Sequence, residues 1–442
     1  MIKTGIFLFN KDLRLDDNPA LLAAAQQVDQ LMCIYILNQP SRLIEHQIGF
    51  SISENRQQFL YESLNDLNHS LQKLGQHLLV FTDNQKLDIA DIVEKHQISH
   101  FFCSGDQHYS DSILWNWLQK KFPKTYFQEV SNNRLYSSSD LPFTVEDLPQ
   151  SFSKFRRKIE PITPDNPVSA PRALPPAVID PIPWPKELNV KISDNSLFSG
   201  GETQGANFVQ NYFLHDYASS YKETRNGLDG ISYSTKFSPW LAHGCVSVRR
   251  ILSELRFYER DREANDSTYW IFFELLWREY FQWYADKFGV KLFNFSGIKN
   301  SKPKTSFYPQ RFEKWVTGDT PYPIVNACMK QLKATGYMSN RGRQLVASCF
   351  VNELSLDWRY GAAYMEQQLI DFDIAANWGN WQYLAGVGAD PRGLRSFDLQ
   401  KQTHIYDPQH HFIKKWGGTK SSNLDSTDMV DWPIIQPTGT DH

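Results

Sequence analysis

The chain lacks the spacings that would declare a disulfide framework or a bound metal. Its five cysteines, Cys33, Cys103, Cys245, Cys328 and Cys349, are scattered, odd in number and never in CxxC spacing. That argues against a disulfide scaffold, a structural zinc and a cysteine-ligated iron–sulfur cluster, and fits free thiols in a reducing compartment. A strong charge of either sign is also missing. The formal net charge is −3, so no global basic field exists and any nucleic-acid contact has to come from a local patch. No apolar run reaches membrane-spanning length. The first ten residues run straight into a strand pattern, without the layout of a secretory signal or a transit peptide. A soluble, cytoplasmic chain with no membrane partner is expected. No GxGxxG follows the first strand; Asn10-Lys-Asp-Leu-Arg-Leu-Asp-Asp-Asn stands there instead, so the standard dinucleotide fingerprint is absent. No fixed-period repeat is visible.

What is present is length and aromatic content. At 442 residues the chain suggests two or three domains. Aromatics make up 14% of it, and ten of its 13 Trp lie after residue 200. Residues 1–130 alternate strand and helix. Short apolar runs at Gly5–Phe9, Leu31–Leu37, His77–Phe81, His100–Cys103 and Thr125–Val130 alternate with helical patterns at Pro19–Gln27, Ser53–Leu74, Leu87–His96 and Ser110–Lys120. Buried strands each followed by a helix predict a five-stranded parallel, doubly wound α/β sheet. Ligands of such sheets bind at the carboxyl ends of the strands. The loops Asn10–Arg14, Asn38–Leu43 and Ser104–Tyr109 are therefore either pocket walls or ordinary connections. Residues 131–198 read as an interdomain linker, with nine Pro between Pro161 and Pro185; such a proline run carries neither a helix nor a central strand. Residues 199–442 read as an all-α domain.

Four stretches could carry chemistry. In Leu369–Gly386, Asp373, Asn377 and Trp381 fall at i, i+4 and i+8, one face of a helix that Asp373 could cap. Such a face could cap its own helix, pack into a core, or hold a planar polar ring. In Phe272–Phe281, the residues Glu274, Trp277, Arg278 and Phe281 share a helical stripe. A Glu–Arg pair at i, i+4 is usually a surface pair, but here both flank a Trp, as in the wall of an aromatic pocket. Gly336–Gln344 offers Asn340, Arg343 and Gln344 as donors for phosphate or base edges, or a solvated helix start. Tyr221–Arg225 with Ser232–Leu241 clusters hydroxyls just before a helix start, where phosphate oxygens bind well; a plain loop is the alternative.

Together these stretches resemble the photolyase/cryptochrome family, over nearly the whole chain. The motifs are Asn10–Asn18, Ser234-Thr-Lys-Phe-Ser-Pro-Trp-Leu, Glu274-Leu-Leu-Trp-Arg-Glu, Gly336-Tyr-Met-Ser-Asn-Arg-Gly-Arg and Asp371-Phe-Asp-Ile-Ala-Ala-Asn-Trp-Gly-Asn-Trp-Gln. Within the family, Lys287-Phe-Gly-Val-Lys-Leu-Phe, Gly388-Ala-Asp-Pro-Arg and Gln400-Lys-Gln-Thr-His-Ile-Tyr-Asp-Pro are most similar to the DASH-type cryptochromes. Gln344 and Tyr383 stand where duplex-acting dimer photolyases carry Met and Trp.

The resemblance implies an α/β antenna domain, a long linker and a helical domain that holds FAD. It implies light-driven splitting of cyclobutane pyrimidine dimers by one electron from excited reduced FAD, with single-stranded DNA preferred, RNA as a further partner and a monomeric enzyme. Tyr221, Ser234, Thr235, Lys236, Phe237 and Ser238 would hold the pyrophosphate and neighbouring groups. Arg278, Asp371, Phe372 and Asp373 would lie at the flavin, and Asn377 beside its N5. Glu274 would bond the dimer bases and Trp277 stack on them. Arg225, Asn340, Arg341, Gln344, Tyr383, Lys401 and Gln402 would meet the strand. Trp381, Trp358 and Trp315 would form an electron relay from the surface to the flavin. A second cofactor, 5,10-methenyltetrahydrofolate, is the usual antenna of this branch, although Gln107 replaces the expected Glu. The rival reading is a blue-light photoreceptor with weak or no repair.

Overall fold

The structure, a computed structural model, describes residues 2–37, 52–82, 86–105, 109–193, 196–389 and 395–425. Asn38–Leu43, Gln107 and part of the Gly388–Arg392 motif lie outside the described residues. Five strands, β1 (Thr4–Phe9), β2 (Gln30–Leu37), β3 (Leu78–Thr82), β4 (His100–Ser104) and β5 (Tyr126–Val130), form one sheet in the order β3-β2-β1-β4-β5. Every pairing is parallel. All six residues of β1 are buried, as a central strand covered on both faces must be. Four helices, α1 (Pro19–Gln27), α2 (Glu54–Gln72), α3 (Lys86–Lys95) and α4 (Tyr109–Lys121), follow β1–β4 in turn.

One core lies on the far side of the sheet, built from Ile6, Ile34, Phe101 and Trp115 among others. The other runs from Phe7 and Phe9 into the helical half, so the two halves share apolar packing. The segment expected to be extended holds one helix, α5 (Phe152–Ile159), N-terminal to the proline run. Phe152, Phe155 and Ile159 form its buried stripe, a spacing of i, i+3 and i+7. Beyond it the proline run lies along the sheet edge: Leu31 N donates to Pro176 O (3.1 Å) and Trp184 Nε1 to Leu78 O (3.1 Å).

The loop after β1 packs against the helical half. Arg14 is buried and donates to Asn133 Oδ1, Gly244 O, Asp17 O and Asn132 O at 2.7–2.9 Å. Glu202, which opens α6 (Glu202–Leu214), accepts from Leu15 N and Asp16 N at 2.8 Å each. Asp17 pairs with Arg249 and Asp16 with Arg250. Asp12, Asn18 and Asn132 bond one another where the strand order reverses, between β1 and β4. The crevice that open α/β sheets offer to ligands is thus filled by a polar clamp between the two halves. Gly244 makes the clamp possible. It has φ of +67°, and a Cβ there would sit 1.7 Å from Lys11 O.

The helical half is built around α9 (Asp266–Phe288). Short α7 (Ser238–His243) and α8 (Val248–Asp261) precede it, and α10 (Pro309–Thr317), α11 (Pro323–Thr335), α12 (Asn340–Ser348), α13 (Trp358–Gln368), α14 (Ile374–Leu384), α15 (Leu399–Tyr406) and α16 (His411–Lys415) follow. Asn265 caps α9 through Ser267 N and Thr268 N. The expected cap of α14 is present: Asp373 Oδ1 accepts from Ala376 N at 2.8 Å. The periodic pattern at Asn340–Glu353 breaks late, where α12 passes into a π-turn at Cys349–Glu353. Among the described residues no helix is long and apolar enough to cross a membrane, and no group of His, Cys, Asp and Glu could hold a metal ion.

Candidate functional site

Three segments of the helical half converge on one cavity with about 1070 Å³ of unfilled space, its open mouth included. The first wall is Tyr221, Arg225 and the run Ser234–Ser238. All six residues expected at a pyrophosphate therefore line this one cavity. Lys236 has φ of +50°, a left-handed backbone that is uncommon for a residue with a side chain. Its amine donates to Ser234 Oγ at 3.1 Å. Burial drives its pKa down to about 8, against a weak pull upward from Asp229, because the charged form loses its water.

The second wall is one face of α9. Glu274 and Arg278 lie one turn apart and both line the cavity, with Ile271 and Leu275 beside them. Glu274 is ion-paired with Arg225, whose guanidinium also lies 4.6 Å from the Trp270 ring centre. Arg278 Nη1 donates to Asn133 O at 2.7 Å. Its backbone partner lies just past β5, so the segment following the sheet reaches the cavity wall.

The third wall is Tyr337, Asn340, Arg343, Asp371, Asp373 and Ala376. Asp371 is its centre. Its side chain is only 2% exposed. It accepts from Ser238 Oγ at 2.6 Å and from Arg343 Nη2 at 2.9 and 2.7 Å. One carboxylate thus ties the first wall to the third. Asp373 Oδ2 accepts from Gln282 Nε2 of α9 at 2.9 Å, which ties the third to the second. Burial pushes the Tyr221 and Tyr337 phenols up to about 12, so both are neutral donors at physiological pH.

Several expected residues stand elsewhere. Asn377 is not among the lining residues; its amide donates to Ala362 O at 3.0 Å. Phe372 is not among the lining residues; the Arg56 guanidinium lies 4.8 Å over its ring centre. Gln344 is half-buried and outside the lining. Trp277 is also outside it. Its ring stacks on Phe152 of α5 at 3.8 Å and 11°, with Phe281 at 5.6 Å and the Tyr383 ring edge-on at 6.2 Å. Arg341 and Gln402 do meet, at 3.4 Å, and Arg341 also donates to Asn226. Asn340 lines the cavity itself, and exposed Lys401 lies one residue before Gln402.

The three Trp expected to form a relay are split. Trp381 meets Trp315 edge-to-face at 6.3 Å, whereas Trp358 meets Trp378 at 5.8 Å. All four are buried, so neither pair reaches the surface. Tyr337, Phe152 and the Arg343–Asp371 pairing were not read from the sequence. Tyr337 sits inside a quoted motif, but nothing local marks its side chain as facing a cavity.

The cavity pairs hydroxyls and four cations with buried carboxylates, a set able to hold an anionic ligand with a polar ring. Residues 5–175 match the DNA photolyase family, and residues 270–429 match the FAD binding domain of DNA photolyase. Over 436 residues the chain is 51% identical to the Cryptochrome DASH of Idiomarina loihiensis, covering 98% of this chain and 97% of that one. The Cryptochrome DASH of Vibrio parahaemolyticus is 50% identical over the same span. Among solved structures, the Synechocystis cryptochrome superposes with a TM-score of 0.87 at 38% identity, covering 94% of this chain and 89% of that one.

Proposed function

The chain belongs to the photolyase/cryptochrome family, alongside the DASH cryptochromes, and from that premise we propose that it repairs cyclobutane pyrimidine dimers in single-stranded DNA under blue light. The observation that carries the reading is that Glu274 and Arg278 line one cavity from a single face of α9. An acid suited to pyrimidine edges and a cation suited to a flavin therefore open on the same space.

The donor set fits FAD. The hydroxyls of Ser234, Thr235 and Ser238, with Lys236, would take the pyrophosphate. Arg278 and Arg343 would face the polar ring, and Asp371 would hold Arg343 in place. When bound, FAD supplies the photoexcited electron. The chain's residues orient, exclude water and bind the lesion. Glu274 would accept from base N–H groups once Arg225 swings toward the strand phosphate. Trp277 and Tyr383 would pack on the extruded bases. Extruding a paired lesion costs a few kcal/mol, and one base–aromatic stack returns about 1–3 kcal/mol. With Phe152 covering one Trp277 face, no surplus remains for opening a duplex. Single strands need none. The antenna 5,10-methenyltetrahydrofolate belongs to the same reading, tested by absorbance of the purified protein beyond that of FAD.

The test is illumination of the FAD-reduced protein with a dimer in single-stranded and in duplex oligonucleotides. Restoration confined to the single strand, and lost in Glu274→Ala with its flavin spectrum intact, is the expected result. The photoreceptor reading is favoured by one observation: Arg225 occupies Glu274 and Phe152 occupies Trp277. Restoration of neither substrate would replace the repair reading with it.

A further inference from the structure

We propose that the groove between Ser301–Thr305 and the turn after α14 is a second phosphate seat for the DNA strand, beyond the cavity. This rests on the repair reading above. The groove holds about 700 Å³ of unfilled space, its open mouth included. Lys302 and Lys304 are exposed, line it from either side of Pro303, and make no ion pair among the described residues. Proline locks its own φ between them.

Three further observations point to an anion. Thr305 lines the groove, and its Oγ1 is buried with no hydrogen-bond partner. The opposite wall, Ala385–Val387, carries the carbonyl end of α14, which repels anions. A third lysine sets a positive charge against that turn: Lys299 Nζ donates to Gly386 O at 3.3 Å, and its backbone N–H to Val387 O at 3.3 Å. Finally, the groove is joined to the site. Asn352, on its wall, donates to Arg395 O at 2.9 Å, and the Arg395 guanidinium lies 4.6 Å from the Tyr383 ring centre. The turn begins two residues after Tyr383 in the chain. A strand whose lesion rests at Trp277 and Tyr383 would pass around α14 to reach this groove.

In a chain of net charge −3, strand affinity has to be local. The cations at the cavity are already engaged: Arg225 with Glu274, Arg343 with Asp371, Arg278 with Asn133 O. The groove lysines supply what those do not. They contact phosphate only, so they add affinity without sequence preference.

The test is binding of an undamaged single-stranded oligonucleotide by the FAD-loaded protein across a salt series. Lys302→Ala/Lys304→Ala should weaken binding about 10-fold at low salt. Each neutralised single-strand phosphate contributes about 0.7 to the log–log salt slope, so with one phosphate per lysine the slope should fall by about 1.4. The flavin absorbance should be unchanged, and Lys302→Arg/Lys304→Arg should bind as the parent does. Wild-type affinity and slope in the double-alanine variant would overturn the groove alone. Failure of the parent itself to bind the strand would overturn the repair reading with it.

Discussion

Asp371→Asn tests the junction of the cavity most directly. The substitution keeps the shape of the side chain and removes its charge. In the parent, Asp371 accepts one bond from Ser238 and a two-oxygen contact from Arg343. An asparagine with its oxygen at the Oδ2 position keeps the Ser238 bond and one Arg343 contact, and its amide nitrogen then faces the Arg343 donor. Breaking a buried pair from one side costs about 3–5 kcal/mol. Asp371 is fully buried, but the Arg343 side chain is 27% exposed, so water recovers part of the loss. The lower end, about 3 kcal/mol, is expected. The measurement is urea unfolding of the apoprotein, followed by tryptophan fluorescence. Because Asp371 also joins Ser238 to the third wall, FAD retention through gel filtration should fall in parallel. Arg343→Met alone should cost at least as much, since it leaves the buried Asp371 carboxylate with only its Ser238 bond. The double variant should be less unstable than the sum of the two. A variant within about 0.5 kcal/mol of the parent, the scatter expected of a surface change, would refute the placement of Asp371 as a buried tie.

Further outcomes follow from the same geometry. Trp381→Phe should slow flavin photoreduction in transient absorption, and Trp378→Phe should test whether the Trp358 pair carries any of the current; normal kinetics in both would remove these indoles from the path. Lys236 has a folded pKa of about 8 against an ordinary 10.5. The unfolded chain therefore holds more protons between those values, and stability rises with pH across that window, the penalty being fully present below about pH 8. Lys236→Met should remove that rise, as read by urea midpoints at neutral and alkaline pH; an equal rise in the variant would place the titration elsewhere. Tyr383→Trp should add stacking area opposite Trp277 and raise affinity for a duplex lesion about 5-fold or more, at the low end of about 1–3 kcal/mol per stack; an unchanged duplex affinity would show that Tyr383 does not limit extrusion.

The parts of this protein that were legible in its sequence are those written in local periodicity. Strands buried on both faces leave unbroken apolar runs, and β1–β5 fall within a residue of those runs. The cap at Asp373 is legible because a cap is a relation between residues three apart. The stripe Glu274–Arg278 is legible for the same reason. What periodicity does not carry is which distant side chain meets which. Arg343 reads as a donor, but its partner lies 28 residues on. The Asn10–Asn18 loop reads as either a pocket wall or an ordinary connection, yet its backbone amides close on Glu202 and its carboxylates on Arg249 and Arg250, more than 180 residues away. Asn377 shares the α14 face with Asp373, but Ala362 takes its amide. The motifs located the cavity; the pairings that shape it appear only in three dimensions.

The segment that reads least like structure has the largest influence on the wall that matters most. Helix α9 is buried over most of its circumference, with polar and apolar residues mixed around it, so no single polar stripe fixes its rotation. The residues after β5 do so instead. Glu279 is buried and accepts from Leu135 N at 3.0 Å and Trp283 Nε1 at 3.0 Å. Asn133 O takes Arg278, Leu148 O takes Lys287, and Phe152 lies flat on Trp277. On the opposite side Gln282 and Tyr284 bond to Asp373 and Gln382. Held from both sides, α9 cannot turn, and Glu274 and Arg278 are aimed at the cavity before any ligand arrives. Preorganisation of this kind removes the ordering cost from the binding step. It also explains why the clamp at Arg14 belongs to the chemistry: by fixing Asn132 and Asn133, it fixes the carbonyl on which Arg278 rests.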